Sequence, residues 1–244
     1  MQPIAEHERP RTALVAGGSG ALGSAVVELL LERGEQVCVP WVVAEEADRL
    51  RERHGDALTA GRLRLSECDV TDGEACAALL DVLVADWGPL WLACSVAGAW
   101  AGGDRVEDLD DLGVLDRMLA ANLRTAFVVA REGLRHMGPL GGRIVLTGSA
   151  TVDRPAAGQA AYSAAKAGVT SLARTLAEEL KGSGRTANAV VPRVIDTPGN
   201  RAAMPNADHD RWTPPRDIAR VVAWLASTEA WVVNGAAVPV PGDA

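Results

Sequence analysis

Tyr162 and Lys166 stand four positions apart, and their types and spacing suggest proton-transfer chemistry. Tyr162 is the single tyrosine of the 244 residues, and the one other lysine is Lys181. Residues four apart on a helix share a face, so the phenol and the ammonium are expected to lie close together. A nearby cation favours the phenolate and lowers the pKa of a tyrosine from its usual value near ~10. The pair therefore predicts a general acid/base that works near neutral pH.

A glycine-rich stretch, residues 17–23, has the composition of a phosphate-binding turn. It follows a predicted strand at residues 12–16 and precedes an amphipathic helix predicted at residues 21–33, which Gly34 closes. In this setting the glycines let the backbone approach a pyrophosphate, and the helix N-terminus favours its negative charge. A plain tight turn is the alternative for the same residues.

The second predicted strand, residues 36–40, ends without the acidic residue that usually selects a dinucleotide. An acid there would hold a ribose 2′-hydroxyl and exclude a 2′-phosphate, but Trp41 takes that place. Glu45 and Glu46 follow at the start of the next predicted helix, where a favourable contact with the helix dipole accounts for them. The same helix carries three arginines typical of a solvated face, with a phosphate clamp as the alternative: Arg49, Arg51 and Arg53.

Strand and helix patterns alternate from end to end, which predicts an α/β fold built on one parallel sheet of about seven strands with helices on both faces. Further strands are predicted at residues 62–66, 90–94, 142–147, 186–191 and 236–240, and further helices at residues 73–87, 108–137, 162–182 and 214–227. Ligands bind such sheets at the carboxyl ends of the strands. The glycine turn, residues 95–98, Ser149 and residues 192–197 all fall there and would line one crevice.

Two polar residues have both a structural and a binding interpretation. Asn122 interrupts the apolar stripe that Leu115 and Met118 begin on the predicted helix at residues 108–137. A buried amide costs a few kcal/mol unless it is hydrogen-bonded, so a partner is expected, and nearby backbone is the structural candidate. Asp69, after the third strand, is either a turn residue or a partner for an adenine amino group.

Composition describes an ordinary globular chain, with 48% hydrophobic and 23% charged residues. Residues 12–244 are expected to form one domain after an N-terminal tail at residues 1–11, and residues 199–213 are predicted to be a mobile lid over substrate. The net charge of −8 argues against a nucleic-acid or anionic-membrane partner. No apolar run approaches the ~20 residues of a membrane span, so a cytoplasmic location is expected.

The cysteines lack the Cys-x-x-Cys spacing of a redox or metal site. Buried free thiols in a reducing cytosol are expected, and no metal site is predicted. The four positions are Cys38, Cys68, Cys76 and Cys94.

Taken in order, these motifs resemble the short-chain dehydrogenase/reductase family, in its short single-domain branch, over nearly the full length of the chain. The resemblance is carried by residues 16–23, Asp69-Val70, Ala97-Gly98, Asn122, Ser149, Tyr162-x-x-x-Lys166, residues 192–197 and residues 234–240. It implies a Rossmann-like, doubly wound fold that binds NAD(H) or NADP(H). The implied reaction is hydride transfer between the nicotinamide and a carbonyl or alcohol.

The resemblance also implies the catalytic roles. Tyr162 would exchange a proton with the substrate oxygen, and Ser149 would donate a hydrogen bond to that oxygen. Lys166 would lower the pKa of Tyr162 and hold the nicotinamide ribose, and Asn122 would hold a water that links Lys166 to solvent. The implied cofactor-binding residues are Gly17, Ser19, Gly20, Leu22, Gly23, Trp41, Asp69, Val70, Ala97, Gly98, Tyr162, Lys166, Pro192, Ile195 and Thr197.

The chain departs from the family pattern in four places. Ala21 stands for a glycine, and Ser95-Val96 stand for an asparagine pair. Arg193 also stands for a glycine and either turns to solvent or meets an acidic substrate. At Trp41 the missing acid removes the repulsion of a 2′-phosphate, which favours NADP(H).

Three function classes remain open. An active oxidoreductase on a small carbonyl or alcohol, with a 3-oxoacyl thioester as one candidate, accounts for the whole residue set. A dinucleotide-binding or sensing protein without turnover is the second, and an isomerase or epimerase that retains its cofactor is the third. By resemblance, pairing of the long helices at residues 108–137 and 162–182 predicts a homodimer or homotetramer.

Overall fold

A computed structural model of the chain describes residues 10–243, so most of the predicted tail at residues 1–11 lies outside the described residues. Its centre is a seven-stranded parallel sheet with the order β3-β2-β1-β4-β5-β6-β7. This topology confirms the predicted doubly wound α/β fold. The strands are β1 (Thr12–Ala16), β2 (Gln36–Trp41), β3 (Leu63–Glu67), β4 (Leu90–Ser95), β5 (Gly142–Thr147), β6 (Arg185–Pro192) and β7 (Ala237–Val240).

Helices cover both faces of the sheet because the strands are apolar on both sides. Alternate residues of β1 enter different hydrophobic clusters: Ala13 and Val15 join one, and Leu14 and Ala16 join the other. The helices are α1 (Ala21–Glu32), α2 (Ala44–Arg53), α3 (Gly55–Thr59), α4 (Gly73–Trp87), α5 (Gly113–Met118), α6 (Thr125–His136), α7 (Ala160–Glu179), α8 (Pro198–Ala203) and α9 (Pro215–Leu225). Helices α1 and α9 pack on the first cluster, and α4, α6 and α7 pack on the second.

The strand order reverses between β1 and β4, which opens a crevice at their carboxyl ends. Ala16 of β1 is paired with Ser95 of β4. The carbonyl of Ala16 then accepts hydrogen bonds from the backbone N–H groups of Val96 and Ala97, each 3.0 Å long. This brings residues 95–98 against the glycine turn, as the sequence predicts.

The prediction of one continuous helix over residues 108–137 is wrong, because the helix starts later and is interrupted. Residues 106–108 form a separate 3₁₀ turn, and α5 begins only at Gly113, whose N–H donates to Oδ1 of Asp111 over 2.7 Å. A π-helical turn, Leu119–Arg124, then joins α5 to α6. The side chain of Asn122, inside that turn, bonds the carbonyl of Met118 at 3.0 Å and so competes with the regular helical ladder.

Residues 199–213 contain more structure than their sequence indicates. Helix α8 covers the start of the segment, and Trp212 and Thr213 at its end are buried. Thr213 is tied to the strand-end loop, since its carbonyl accepts from the N–H of Asp196 at 2.9 Å. The lid function and its mobility stay predictions.

The four cysteines are free and buried, as predicted. Burial raises the pKa of the Cys38, Cys76 and Cys94 thiols to about 12, so they are protonated at neutral pH. Between residues 10 and 243, no helix is both long and apolar enough to cross a membrane.

Candidate active site

The glycine turn is shaped by two close backbone approaches. A Cβ on Gly17, whose φ is +80°, would lie 2.4 Å from the backbone nitrogen of Ala97. A Cβ on Gly23 would lie 1.9 Å from the carbonyl oxygen of Gly17. By contrast, a Cβ on Gly20 would meet its nearest neighbour at an ordinary 3.5 Å. Close packing therefore requires glycine at positions 17 and 23 and not at position 20.

Gly98, Asn122 and Lys166 meet at one point beyond the turn. A Cβ on Gly98 would lie 2.6 Å from Oδ1 of Asn122 and 3.2 Å from Nζ of Lys166. Nδ2 of Asn122 donates to the carbonyls of Ala99 and Met118, both at 3.0 Å, which confirms the expected backbone partners. Within residues 10–243, Oδ1 of Asn122 is buried without a hydrogen-bond partner. The Asn122 acceptor and the Lys166 ammonium therefore line a small space next to Gly98, and any side chain at position 98 would fill it.

Lys166 is almost completely buried, with 5% of its surface exposed. Its Nζ donates to the carbonyl of Thr147, at the end of β5, over 2.8 Å. The same Nζ lies 5.9 Å from the centre of the Tyr162 ring. Burial lowers the pKa of Lys166 from its ordinary value of 10.5 to about 8. The predicted helical neighbours therefore do share a face.

The expected effect of Lys166 on the pKa of Tyr162 is wrong in this structure. Burial raises the pKa of Tyr162 above its ordinary value of 10.0, and a side-chain hydrogen bond with Ser149 lowers it by less. The physical reason is desolvation, which disfavours the phenolate, whereas the Lys166 ammonium is directed to the Thr147 carbonyl. Tyr162 is therefore a neutral phenol near neutral pH.

Ser149 follows β5 in an extended conformation and caps the 3₁₀ turn at Ala150–Val152. Its Oγ accepts hydrogen bonds from the N–H and the hydroxyl of Thr151, at 3.3 and 3.0 Å. These bonds hold the Ser149 hydroxyl beside the phenol of Tyr162. The crevice thus brings the following residues together: Gly17, Ala97, Gly98, Asn122, Lys166, Tyr162 and Ser149.

Other predicted binding residues lie at the same edge of the sheet but contact different partners. Asp69, just past β3, is exposed and accepts from both the N–H and the hydroxyl of Thr71 at 2.8 Å, so it forms the predicted turn. Val70 packs against the second hydrophobic cluster, and Leu22 packs inside the first.

The loop after β6 is organised by Asn200. Pro192 is the last residue of β6 and is buried. The carbonyl of Ile195 accepts from Nδ2 of Asn200 at 2.8 Å, and Oγ1 of Thr197 accepts from the N–H of Asn200 at 3.1 Å. Asn200 carries no signal of this role in the sequence, because both bonds depend on the way α8 starts.

Ser19 lies within the glycine turn, and Trp41 is the last residue of β2. The Trp41 ring is half-buried, with the Arg51 guanidinium 5.5 Å from its centre. Oγ of Ser19 donates to Oε2 of Glu46 over 2.7 Å. The sequence explains Glu46 by a contact with the dipole of its own helix. It does not predict this contact with a distant segment of the chain.

A family model for short chain dehydrogenases matches residues 11–208. The chain belongs to the short-chain dehydrogenase/reductase family.

The similarity to individual proteins covers nearly the whole chain. The cyclic-di-GMP-binding biofilm dispersal mediator protein of Escherichia coli (strain K12) is 34% identical over 95% of this chain and 96% of its own. The 3-oxoacyl-(acyl-carrier-protein) reductase MabA of Mycobacterium tuberculosis is 32% identical over 95% of this chain and 92% of its own. A crystal structure of a blue fluorescent protein from a metagenomic library, in complex with NADPH, has a TM-score of 0.86, 28% identity and coverage of 98% and 99%.

The departures from the family pattern are accommodated locally. Ala21 is the exposed first residue of α1, and among residues 10–243 only glycines have a positive φ, so a methyl group fits there. Ser95 is buried in β4 and paired with Leu146 of β5. Arg193 is exposed, which agrees with the solvent-facing alternative.

Within the family's glycine turn, Gly23→Ala is expected to lower the free energy of unfolding by about 2–3 kcal/mol, because the new methyl overlaps the Gly17 carbonyl and forces a backbone shift. Gly20→Ala is the matched control and is expected to cost at most about 1 kcal/mol, the usual loss at an N-cap. Urea unfolding of both variants makes the comparison. Equal stability of the two would contradict the packing reason given for Gly23.

Proposed function

We propose that the chain is an NAD(P)-dependent oxidoreductase that reduces a small carbonyl substrate to an alcohol. The observation that carries this proposal is Tyr162, a neutral phenol beside Ser149, with the buried ammonium of Lys166 5.9 Å from the centre of its ring. A group that is protonated at neutral pH is suited to give a proton to a carbonyl oxygen. The reductase among the relatives supports the same direction.

The residues of the crevice fit a dinucleotide. Glycine at positions 17 and 98 leaves space that a Cβ would fill, and the N-terminus of α1 has no side-chain cap at Gly20. Its unbonded N–H groups favour a pyrophosphate. The solved relative that holds NADPH supports a nicotinamide cofactor.

The cofactor-binding residues predicted from the sequence are proposed to act in four groups. Ser19, Gly20, Leu22 and Gly23 would surround the pyrophosphate with Gly17. Trp41, Asp69 and Val70 would border the adenosine, and Ala97 and Gly98 would border the ribose near Lys166. Pro192, Ile195 and Thr197 would border the nicotinamide carboxamide.

The proton steps involve this chain's own residues. When bound, the reduced nicotinamide supplies the hydride to the carbonyl carbon. Tyr162 Oη gives its proton to the carbonyl oxygen, and the Ser149 hydroxyl orients that oxygen. Lys166 Nζ lies within the same contact network and can return a proton towards Tyr162. The Asn122 Oδ1 acceptor beside it provides a site for the water that would carry this proton from solvent.

Direct turnover tests the proposal. With NADH or NADPH and a panel of ketones, quinones and 3-oxoacyl thioesters, at least one carbonyl is expected to be reduced with one reduced nicotinamide consumed for each alcohol formed. The thioesters are included because a relative is a 3-oxoacyl reductase. Product formed without net consumption of nicotinamide would favour an isomerase or epimerase instead.

A dinucleotide-binding function without turnover is the second candidate. It is favoured by one relative, 34% identical, whose name describes a cyclic-di-GMP-binding mediator of biofilm dispersal. The retained Ser149, Tyr162 and Lys166 constellation argues for chemistry. No turnover with any carbonyl of the panel, together with tight binding of a dinucleotide, would make this candidate the better one.

A further inference from the structure

A carboxylate from α2 reaches the glycine turn. Oε2 of Glu46 accepts a hydrogen bond of 2.7 Å from Oγ of Ser19, and the two residues come from separate segments on either side of β2. The Glu46 side chain is 34% exposed, so it lies at the rim of the crevice and not in the core. Its position is built into the fold, because Ala47 and Leu50 of the same helix are buried and fix which face of α2 turns inward.

This position matches a known requirement of dinucleotide sites. The pyrophosphate lies on the glycine turn, and an acidic residue about 20 residues further on holds the ribose 2′-hydroxyl. Trp41, at the end of β2, occupies the usual place of that acid. Glu46 offers a carboxylate from the next helix, beside Ser19, which immediately precedes the N-cap of α1 at Gly20.

We propose that Glu46 is the residue that selects the cofactor and that it favours NAD(H) over NADP(H). The inference rests on the proposed function and extends it to the adenosine end of the site. The Glu46 carboxylate would accept from the ribose hydroxyls, and the Ser19 hydroxyl, whose own proton goes to Glu46, would also accept from them. A 2′-phosphate carries a charge of about −1.5 to −2, and it would stand against the carboxylate. At a separation of about 5 Å this repulsion weakens binding about ten- to a hundredfold.

Two arginines of α2 are already paired with carboxylates of their own helix. Nη2 of Arg49 lies 3.8 Å from Oε1 of Glu46 itself. Arg51 pairs with Asp48 at 2.5 Å while its guanidinium lies over Trp41. A phosphate would have to draw these groups from existing contacts. The carboxylate thus opposes the preference for NADP(H) that the missing acid at Trp41 suggests.

Cofactor titration of three proteins tests the assignment: the full-length wild type, Glu46→Gln and Glu45→Gln. Binding of NADH and NADPH is measured by nicotinamide fluorescence and by calorimetry, so that turnover is not required. The wild type is expected to bind NADH at least about tenfold more tightly than NADPH, and Glu46→Gln is expected to reduce that ratio at least about tenfold. Glu45→Gln is the matched control, since Glu45 is the exposed neighbour on the same helix, and its ratio is expected to equal that of the wild type.

Each outcome decides the matter. A wild-type preference for NADPH, or an equal ratio for Glu46→Gln and Glu45→Gln, would overturn the role of Glu46 while leaving the proposed function intact. If the wild type binds neither cofactor, the proposed function itself is overturned, and the selector role with it. Thermal unfolding of both variants checks that they are folded, and Glu46→Arg supplies a second variant, expected to bind NADPH more tightly than NADH.

Discussion

Tyr162→Phe is expected to lower the turnover number by about a thousandfold or more and to change cofactor affinity by less than about threefold. The phenol hydroxyl is the proton donor in the proposed reaction, and general acid catalysis contributes about 10² to 10⁴ in rate. The ring itself stays, so the packing of α7 against the crevice is preserved. Steady-state kinetics on a reduced carbonyl and fluorescence titration of the cofactor measure the two effects separately.

The loss must be distinguished from a general disturbance of the site. The Tyr162 hydroxyl lies beside Ser149, and loss of one side-chain interaction of this kind costs about 1 kcal/mol of stability or less. Tyr162→Phe is therefore expected to unfold at nearly the wild-type temperature. Turnover within tenfold of wild type would show that another group supplies the proton, and would remove Tyr162 from the mechanism.

Patterns of neighbouring residues were sufficient to predict most of the fold. The strand at residues 142–147 and the helix at residues 73–87 match the observed bounds of β5 and α4. Both are mostly apolar, and Asp72 caps α4 through its own side chain, so short-range signals decide them. Such signals fail at Asn122, where a side-chain bond to the helix backbone and another to Ala99 accompany a π-helical turn.

The sequence predicts the residues of the site but not their pKa values, because these depend on how deeply each side chain is buried. Sequence spacing places Lys166 beside Tyr162, but the pKa of Tyr162 is raised by desolvation, and the Lys166 ammonium is bound by the Thr147 carbonyl. Nothing in the sequence around Lys166 predicts that its ammonium binds the carbonyl of Thr147. The Ser19–Glu46 bond likewise joins segments 27 positions apart, and only the packing of α2 on the sheet brings them together.

Lys166 also carries a cost that follows from its position. An ammonium that is 5% exposed is desolvated, and one hydrogen bond to the Thr147 carbonyl offsets the loss only in part. The fall of its pKa from 10.5 to about 8 corresponds to about 3 kcal/mol of destabilisation at neutral pH. We therefore expect that Lys166 lowers the stability of the folded protein while serving the proposed reaction.

Lys166→Met is expected to raise the free energy of unfolding of the cofactor-free protein by about 1–2 kcal/mol at pH 7, while turnover falls by about a thousandfold or more. The gain is smaller than the desolvation cost because the Thr147 carbonyl loses its donor, which returns about 1 kcal/mol. For a chain of this size the melting temperature is expected to rise by about 2–8 °C. Lys181→Met is the matched control, since the Lys181 side chain is 67% exposed and its pair with Glu178 lies at the surface, and it is expected to change neither quantity appreciably.

The pH dependence of stability separates burial of the charge from ordinary packing. Between about pH 8 and pH 10.5 the unfolded chain holds a proton on Lys166 that the folded chain has lost. At this site the unfolded state then binds more protons, so the contribution of Lys166 to stability rises with pH across this window. Lys166→Met has no titratable group at position 166, so its gain in unfolding free energy over wild type is expected to decrease as the pH rises. The difference between Lys181→Met and wild type is expected to show no such change. A destabilised Lys166→Met at pH 7, or one whose difference from wild type is independent of pH, would mean that the buried ammonium stabilises the fold and that its desolvation is already compensated within the site.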